Sequence, residues 1–422
     1  MILRDPVHGL ISFQGSVDSI VARLLDTAEV QRLRRIRALG LASFAYPGAE
    51  HSRFAHAIGS AHVMQRYLRR VQALARELPE SDRIDEGTAM VALAAALLHD
   101  VGHGPYSHTF ETVLRDSPPH EEWTSRILLD PETEVHQVLR EVDPRMPLLV
   151  ERLVHGESPI PHLARAVSGT FDVDRCDYLK RDSYMTGVTY GLLDLDWLLQ
   201  SLRLYVPEGA AASGLAVDGN KGLTAVEGFF LARLYMYRQV YLHKAVRAAE
   251  YLVRGLFRRL LEIGPQPGTS PEMAKLLRGE QLTVRDYLRL DDRTLDYAIA
   301  IYTESADEVL RGLARRLYNR RLFKTMQLRP EVDSELAQAR LDEALAAAGV
   351  RPAYLGAIDR VEVRAYSEDQ GLMVLRGRGQ IRRLVDVSPV MHGLSHEVYI
   401  HHRAVFPPEA GEQVGAALAP LT

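Results

Sequence analysis

The feature that most constrains the fold is an apolar run that ends in two side chains of metal-binding type. Residues Met90–Leu98 are the most hydrophobic stretch of the sequence, and they lead directly into His99 and Asp100. The run is about half as long as the roughly 20 residues that a membrane-spanning helix needs. We therefore interpret it as a buried helix of a protein without a membrane segment, with an imidazole and a carboxylate at its carboxyl end.

Apolar residues recur at helical spacing along most of the chain. The pattern is clear in 16–25 and 63–74, and it returns in a long segment from about 224 to 263. Further helices are expected at about 291–317 and 333–348. The sequence therefore predicts a mainly α-helical fold.

The residue pattern changes after Pro352, where short β-prone runs are separated by Gly, Asp and Ser. We expect a smaller strand-containing C-terminal region there. Two stretches, 207–222 and 264–271, are rich in Gly and Pro and are interpreted as loops. The predicted strands lie near 361–363, 373–375, 384–387 and 398–400.

Composition narrows the class of protein. The 422 residues are 46% hydrophobic and 25% charged, which is enough for a large core. The formal net charge of -4 gives no overall basic field that would attract nucleic acid or an anionic membrane. The single cysteine, Cys176, excludes an intrachain disulfide and a cysteine-based zinc cluster. Because the N-terminus also has no apolar signal segment, we expect a cytoplasmic protein.

The pair at the end of the apolar run predicts a metal site. His99 and Asp100 stand where a buried helix opens into a glycine-rich turn, LLHDVGHGPYSH. An imidazole and a carboxylate are costly to bury unless something satisfies both, and divalent transition metals accept both kinds of ligand. The best remaining donors are His56 and Asp174, which would complete a set of two histidines and two aspartates. Further histidines crowd the same part of the sequence: His103, His108 and His120.

Four segments carry a resemblance to a known family. HSRFAHAIGS, LLHDVGHGPYSH, HEEW and DVDRCDYLKRD, in this order and spacing, resemble the HD-domain phosphohydrolases. Within that superfamily the chain looks like the deoxynucleoside triphosphate triphosphohydrolases, which include the vertebrate SAM-and-HD-domain enzyme and its bacterial relatives. DPVHG, DTAEVQRLRRIRALG, VYLHK and NRRLFK extend the resemblance over about residues 1–330.

The resemblance implies a helical HD-domain core with a smaller strand-containing C-terminal region. We expect a catalytic core with a short N-terminal hairpin at 1–205, a helical extension that completes the pocket at 206–350, and an α+β region at 351–422. The extension is also the expected interface of a homo-oligomer, either a dimer or a tetramer.

The reaction that the resemblance implies is the hydrolysis of (deoxy)nucleoside triphosphates to nucleoside and inorganic triphosphate. The four ligands would hold a divalent ion, which could be Mn, Mg, Fe, Co, Ni or Zn. Such an ion polarises a phosphoryl oxygen and lowers the pKa of a water, so that a nucleophile forms near neutral pH.

The resemblance also implies a general acid for the departing 5′-oxygen. This role falls to His108, oriented by Glu111, and His120 completes the group. If 108–111 is helical, the first two side chains share one face of the helix. The alternative is that His108 and His120 only form hydrogen bonds within the fold.

Six positions match substrate-binding positions of the family. Two arginines near the metal ligands would place cationic groups around the α-phosphate. A tyrosine and an aspartate four residues apart would contact the triphosphate and the sugar 3′-hydroxyl, respectively. The alternatives are surface ion pairs for the arginines and a core-facing helix for the last two positions. The six are Arg53, Arg175, Tyr178, Asp182, Arg233 and Tyr241.

One position departs from the family pattern. Relatives of the vertebrate type carry a glutamine before a Leu-Gly pair, where it helps to read the sugar, but this chain has Ala38 before Leu39 and Gly40. Ala55 likewise stands where a glutamate is common. A ribonucleotide, a modified nucleotide or a broader set of substrates therefore stays open.

Five polar positions match a nucleotide-binding site that activated relatives have at a subunit interface. The resemblance implies a guanine nucleotide, GTP or dGTP, as the effector. Without the resemblance, these residues would be interpreted as a solvated helix face, and Arg4 and Leu10 do not match the polar contacts expected from the first hairpin. The five are Asp26, Gln31, Arg34, Arg320 and Lys324.

Two other functions stay open. The HD metal site also serves phosphatases and phosphodiesterases that act on nucleoside monophosphates or cyclic nucleotides. A non-catalytic nucleotide sensor or single-strand nucleic-acid binder could use the basic segments 32–37 and 315–324. The near-neutral net charge disfavours nucleic acid as a partner, and the complete set of ligand and acid residues favours an enzyme.

Overall fold

The protein is mainly α-helical with three small sheets, which confirms the predicted fold class. No helix in the described part of the chain is both long and apolar enough to cross a membrane. The computed structural model describes residues 1–74, 80, 83–113, 118–169, 171–206, 213–366 and 372–422.

A β-hairpin opens the chain. Strand β1 (Ile2–Asp5) pairs antiparallel with β2 (Gly9–Ser12). The helices that follow, up to residue 201, are α1 (Ser19–Leu25), α2 (Ala28–Arg32), α3 (Arg53–Leu74), α4 (Glu86–Leu98), α5 (His108–Val113), α6 (His120–Leu129), α7 (Glu134–Val142), α8 (Met146–Val154), α9 (Pro161–Val167), α10 (Val173–Thr186) and α11 (Leu195–Ser201).

Helix α4 is the buried helix that the apolar run predicts. It begins after Asp85, whose carboxylate accepts a hydrogen bond from the backbone N–H of Thr88. Its residues from Ala92 to Leu98 are all buried, and the helix packs against α3 and α8. Because α4 ends at Leu98, the histidine and aspartate that follow are fixed at the edge of the core.

Helices α3 and α10 approach each other closely at Gly59. A β-carbon at this position would overlap the side chains of Asp177 and Arg181 on α10. Glycine therefore permits an approach that any other residue would block. One turn earlier on each helix stand His56 and Asp174, so the close approach brings these two side chains together.

The remaining elements alternate between helices and short strands. The helices are α12 (Leu223–Met236), α13 (Lys244–Ile263), α14 (Pro271–Leu277), α15 (Val284–Tyr287), α16 (Asp292–Tyr302), α17 (Glu308–Tyr318), α18 (Ser334–Ala347), α19 (Pro352–Leu355), α20 (Leu384–Val387), α21 (Pro389–His396) and α22 (Gly411–Leu418). The strands are β3 (Leu202–Tyr205), β4 (Gly214–Asp218), β5 (Lys324–Gln327), β6 (Ala357–Arg364), β7 (Met373–Arg376), β8 (Gln380–Arg383) and β9 (Val398–Phe406).

Two of the predicted helices are interrupted. The segment 224–263 is not one helix, because a π-helical stretch at Tyr237–Tyr241 separates α12 from α13. The side chain of His243 caps the new helix by accepting from the N–H of Ala245. The segment 291–317 is divided between α16 and α17, and Asp307 caps the second of these helices.

Two local predictions are wrong. Residues 207–222 were expected to be a loop, but Gly214–Asp218 form β4, which pairs antiparallel with β3 and parallel with β7; residues 207–212 lie outside the described part of the chain. Residues 384–387 were expected to be a strand, but they form the short helix α20, which hydrogen-bonds back to Leu372. In both cases contacts distant in sequence override the local pattern.

The sheets connect distant parts of the chain. One has the strand order β3-β4-β7-β8, and the other has the order β5-β9-β6, in which both pairs are antiparallel. Each sheet therefore joins strands from either side of residue 350, and the first also joins strands from either side of residue 205. The division at 205 and 350 stays a prediction.

Candidate active site

Three side chains from three helical segments meet in a group that could hold a metal ion. The Nε2 atom of His56 lies 2.9 Å from Oδ1 of Asp174, and Nε2 of His99 lies 3.4 Å from the same oxygen. The three ligand atoms all lie within 4.8 Å of one another. A divalent ion bound by two imidazole nitrogens and a carboxylate oxygen suits this spacing.

The two histidines present the same ring nitrogen to this group. His56 donates from Nδ1 to Asp177 at 2.8 Å, and His99 donates from Nδ1 to the carbonyl of Ala96 at 3.0 Å. These bonds leave the Nε2 atoms to face Asp174, and Nε2 of His99 is buried with no hydrogen-bond partner among the described residues. An ion at this position would satisfy that buried atom, so the residues fit a metal.

The electrostatics of the group favour a positive charge between His56 and Asp174. Burial lowers the pKa of His56, but the carboxylates of Asp174 and Asp177 outweigh burial and raise it to about 10. Burial raises the pKa of Asp174, but hydrogen bonds from His56 and His99 hold it well below its usual range. Either a proton or a metal ion can supply the charge that the site stabilises.

Asp100, the fourth expected ligand, lies at the edge of the group. Its carboxylate is 3.5 Å from Nε2 of His99 and 3.7 Å from Nε2 of His56. The same carboxylate forms a buried ion pair with Arg53, which holds its pKa well below the usual range although burial raises it. Arg53 in turn donates to Ser107 at 2.8 Å, so its guanidinium is fixed beside the group.

A buried network of ion pairs contacts His56 on the side of its ring that faces away from Asp174. Asp177 accepts from His56 on one oxygen and from Nε2 of His8, 2.7 Å away, on the other. Arg181 binds both oxygens of Asp177, at 2.8 and 2.9 Å, and also reaches Asp5 in the N-terminal hairpin. This network fixes the ring of His56, as partners behind a ligand commonly do. Asp177 lies one turn after Asp174 on the same helix, but its role could not be predicted from the sequence.

We expect Asp177→Asn to weaken metal binding by about 10- to 100-fold. The carboxylate of Asp177 orients the ring of His56 and increases the basicity of that ring, and an amide loses the negative charge that does both. Titration of metal into metal-depleted protein measures the effect. Asp196→Asn is the matched control, since Asp196 is exposed and pairs with Arg66 on the surface. An unchanged affinity in a folded Asp177→Asn protein would show that the network does not support the site.

A second group lies close to the first and contains the residues expected to be acids. His120 donates from Nδ1 to Glu111 at 2.8 Å, and Nδ1 of His108 lies 3.3 Å from the other oxygen of Glu111. The ring of His103 stacks on that of His120 with centroids 3.8 Å apart. Burial raises the pKa of Glu111, but the two histidines outweigh it and hold the pKa well below its usual range. The carboxylate therefore stays ionised and can orient both rings; these four side chains also lie close enough to hold an ion.

A cavity of about 570 Å³ connects the two groups. Most of the expected substrate-binding residues line it, and so does Ala38. Asp182 accepts from Tyr241 at 2.8 Å and from Nε2 of His51 at 2.8 Å. Burial raises the pKa of Tyr241 well above its usual value, so it remains a donor. The expected residues on the wall are Arg53, Arg175, Tyr178, Asp182 and Tyr241.

The two remaining arginines differ in what they face. Arg175 lies on the cavity wall, with one guanidinium nitrogen bound to Asp172 and to the carbonyl of Gly169. Arg233 is not among the described residues that line the cavity. Instead it donates to the carbonyls of Arg364 and Ala365 at 3.0 and 2.9 Å, so it ties α12 to the end of β6.

The C-terminal sheet reaches the cavity wall through one arginine. Arg247 lines the cavity and binds Asp359 of β6 through two hydrogen bonds, 2.9 and 2.6 Å long. His401 of β9 donates to Asp359 at 2.9 Å, and both side chains are buried. This contact could not be predicted from the sequence, because no local pattern links residue 359 to residue 247.

Asp359→Ala should lower the free energy of unfolding by about 3–5 kcal/mol, because the substitution removes the carboxylate that binds both Arg247 and the buried His401, and leaves Arg247 paired with Glu250 of its own helix. Urea denaturation followed by circular dichroism measures the change. Glu362→Ala on the same strand is the control: that carboxylate is 56% exposed, and its pair with Arg360 should contribute about 0–1 kcal/mol. Equal losses in the two variants would contradict a buried structural ion pair.

The expected regulatory residues lie on the surface of the protein. Asp26, Arg34, Arg320 and Lys324 are exposed. Arg34 donates to Gln31 at 2.8 Å and covers the ring of Phe54. Arg320 adopts a positive φ of 54° and donates to the carbonyl of Phe44. These residues are available to a ligand or a partner subunit.

Comparisons with known proteins identify the family of the chain. The HD domain model matches residues 53–179, and the HD associated region model matches residues 194–419. The uncharacterized protein YwfO of Bacillus subtilis is 32% identical over 96% of this chain and 92% of its own length. The deoxynucleoside triphosphate triphosphohydrolase SAMHD1 homolog of Dictyostelium discoideum is 26% identical over 76% of this chain, which spans only 59% of that relative.

A solved structure extends the comparison to the whole fold. The crystal structure of a phosphohydrolase from Bacteroides thetaiotaomicron superposes with a TM-score of 0.81 and 26% identity, covering 96% of this chain and 99% of that one. HD domains depend on metal ions, and the group formed by His56, His99 and Asp174 could bind one. The chain therefore belongs to the HD-domain phosphohydrolases and resembles their deoxynucleoside triphosphate triphosphohydrolase branch.

Proposed function

We propose that this protein hydrolyses (deoxy)nucleoside triphosphates to nucleoside and inorganic triphosphate. The observation that carries the proposal is that a single cavity is lined by members of the metal-binding group, by the histidines of the second group and by side chains suited to phosphate. A volume of about 570 Å³ suits a ligand of nucleotide size. His56, His99 and Asp174 would hold the ion, with Asp100 as the fourth ligand.

The residues around the ion would bind and orient the triphosphate. Arg53 and Arg175 supply cationic groups for the charge that spreads over the phosphoryl oxygens during phosphoryl transfer. Tyr178 stays protonated, because burial raises its pKa well above the usual value, and so it can donate to a phosphate oxygen. A divalent ion, when bound, supplies Lewis-acid polarisation and lowers the pKa of a water.

His108 is the proposed general acid. Its Nδ1 faces the ionised carboxylate of Glu111, which leaves Nε2 as the nitrogen that can deliver a proton. His108 protonates O5′ as the bond from O5′ to the α-phosphorus breaks, while a water oxygen takes that place on phosphorus. The products are then a nucleoside with a free 5′-hydroxyl and inorganic triphosphate.

Sugar selection would depend on Asp182 and Ala38. Both carboxylate oxygens of Asp182 already accept one hydrogen bond, but each keeps a further lone pair for a sugar hydroxyl. Ala38 brings only a methyl group to the wall. We therefore propose a relaxed preference that includes both deoxy- and ribonucleotides.

We expect Ala38→Gln to raise the preference for dATP over ATP by about tenfold, since an added amide occupies space beside the sugar and supplies one hydrogen bond. The ratio of kcat/KM for the two nucleotides measures this preference. Ala28→Gln, on the exposed face of α2, is the matched control. A ratio that stays unchanged in Ala38→Gln would exclude this position from sugar selection.

We also propose a homo-oligomer, a dimer or tetramer, activated by GTP or dGTP. The exposure of Asp26, Arg34, Arg320 and Lys324 supports this proposal, because charged side chains of this kind can bind phosphates and purine edges. Sedimentation with and without GTP tests the assembly. If GTP changes neither the mass of the assembly nor the rate of nucleotide hydrolysis, GTP is not an effector.

Product analysis tests the proposed reaction. The purified protein is incubated with Mn, Mg or Co and each nucleoside triphosphate, with and without GTP or dGTP, and the products are resolved by ion-exchange chromatography. Nucleoside together with inorganic triphosphate is the expected result. Orthophosphate from a nucleoside monophosphate, or opening of a cyclic nucleotide, would instead identify a phosphatase or phosphodiesterase. If no nucleotide is hydrolysed and the protein binds RNA or DNA with an affinity that falls steeply as salt rises, it would be a sensor or nucleic-acid binder.

A further inference from the structure

A second cavity, of about 750 Å³, is larger than the catalytic cavity and is formed in part by the same helices. Helix α5 contributes Thr112 and Val113 to it, and helix α6 contributes Trp123 and Arg126. None of the residues assigned above to metal, acid or substrate lines this second cavity within the described part of the chain.

The wall of the second cavity is strongly cationic. It carries four arginines but only one acid, Glu280, among the described residues. Two of the arginines stand one turn apart on α13, and the other two come from α6 and from the turn after α14. The four are Arg126, Arg254, Arg258 and Arg278.

Three of these guanidinium groups have donors available to an anion, and the fourth, that of Arg258, also donates to the carbonyl of Ala353 at 3.1 Å. The Nε atom of Arg254 is buried without a hydrogen-bond partner among the described residues, and its guanidinium lies over the ring of Tyr251 at 4.5 Å. Arg126 pairs with Glu122 and Arg278 pairs with Glu280, but all four of these side chains are more than 40% exposed. Exposed pairs are weak, so a phosphate can replace the acid partner.

Most of the remaining lining residues are apolar, with Thr112 and Gln281 as the polar exceptions. Val113, Trp123, Leu277 and Leu282 contribute side chains to the wall. A cavity of this volume that combines an apolar surface with several arginines suits a ligand that has a planar or apolar body and a phosphate group.

We propose that the second cavity is a regulatory site for a phosphorylated metabolite of nucleotide size. The ligand's phosphates bind the four arginines, and its apolar part packs against the leucines and Val113. None of the exposed residues proposed to bind GTP or dGTP lines the second cavity within the described part of the chain. A ligand in this cavity would therefore be a second regulator of the enzyme.

The helices that form the second cavity explain how its ligand reaches the catalytic cavity. Helix α5 carries His108 and Glu111 as well as Thr112 and Val113, and α6 begins at His120 and continues to Arg126. On α13, Glu250 lines the catalytic cavity, and Arg254 follows one turn later in the second. A ligand that moves these helices moves the acid group; this step rests on the proposed function, whereas binding itself does not.

Calorimetric titration of ATP and GTP into the full chain in EDTA tests the binding step. We expect the double variant R126Q/R278Q to bind at least one of them about tenfold more weakly than the unchanged protein. The control R145Q/R152Q removes the same charge from an exposed part of α8 and its N-terminus, and should change the affinity less than about twofold. R254Q, which alters the least exposed of the four arginines, should also weaken binding.

Hydrogen exchange supplies the second readout. Bound nucleotide should slow exchange in 108–113 and 120–129, and R126Q/R278Q should remove this protection. The proposal is overturned if neither nucleotide binds, if R126Q/R278Q and R254Q both keep the affinity of the unchanged protein, or if R145Q/R152Q loses as much affinity as R126Q/R278Q. Because EDTA prevents turnover, arginine-dependent binding would stand even if product analysis excluded the proposed reaction.

Discussion

Asp174→Ala is expected to leave a folded protein that no longer retains a metal ion and that hydrolyses nucleoside triphosphates about a thousandfold more slowly or worse. Asp174 is the only carboxylate among the described residues that contacts both His56 and His99 at 3.4 Å or less. Without it, two imidazoles remain, and the charge that compensates a divalent ion is lost. A bound ion typically contributes several kcal/mol to phosphoryl transfer, which corresponds to a factor of this size.

Metal content by mass spectrometry and initial rates on the same preparation test this expectation. Asp143→Ala is the control, since Asp143 is a half-buried residue that pairs with Arg145. His99→Ala should behave like Asp174→Ala, because it removes the buried nitrogen that lacks a hydrogen-bond partner among the described residues. Full activity in a metal-free Asp174→Ala protein would overturn the mechanism.

His108→Ala should retain the metal and lose about 10²- to 10⁴-fold in kcat, the usual contribution of a general acid. His108 does not contact the metal-binding group, and its ring is 69% exposed at the cavity. Its removal therefore leaves the ligands in place while O5′ departs without a proton.

The matched control is His155→Ala, a partly exposed histidine that pairs with Glu151 away from the cavity. The activity of Glu111→Gln should fall between those of the control and His108→Ala, because an amide accepts weaker hydrogen bonds than a carboxylate and orients the rings of His108 and His120 less firmly. If His108→Ala loses metal together with activity, His108 acts as a ligand of a second ion at the His103–His120 group rather than as an acid.

The sequence predicts the parts of this protein that depend on local patterns. An apolar run with no polar face must be buried, so the position of α4 and of the two residues after it could be expected. The helical periodicity of 16–25, 63–74 and 333–348 likewise corresponds to α1, the end of α3, and α18. Local spacing also predicts that His108 and Glu111 share a face, which they do on α5.

The sequence could not predict the parts that depend on distant partners. Strand β4 pairs with β3 and also with β7, which lies more than 150 residues later, whereas the Gly-rich composition around β4 suggests a loop. Arg233 lies at a position that also suits a substrate contact, yet the end of β6 binds it. Asp359 has no neighbour in sequence that reveals its link to the cavity wall.

The candidate site also contains residues that the sequence could predict and residues that it could not. His56, His99 and Asp174 could be selected because side chains of metal-binding type are costly to bury without a partner. The network of His8, Asp177 and Arg181 was missed, because salt bridges between helices and a distant hairpin leave no periodic trace. The one available signal was the spacing of Asp174 and Asp177 on one helix face.

Hydrolysis of dATP and ATP in ¹⁸O-labelled water, with mass spectrometry of every product, tests the central claim most directly. We expect an unlabelled nucleoside and inorganic triphosphate that carries one ¹⁸O atom, because the water oxygen is transferred to the α-phosphorus and the original oxygen stays with the sugar. Labelled orthophosphate or pyrophosphate without triphosphate, or a labelled nucleoside, would contradict attack at the α-phosphorus and the function proposed for this site.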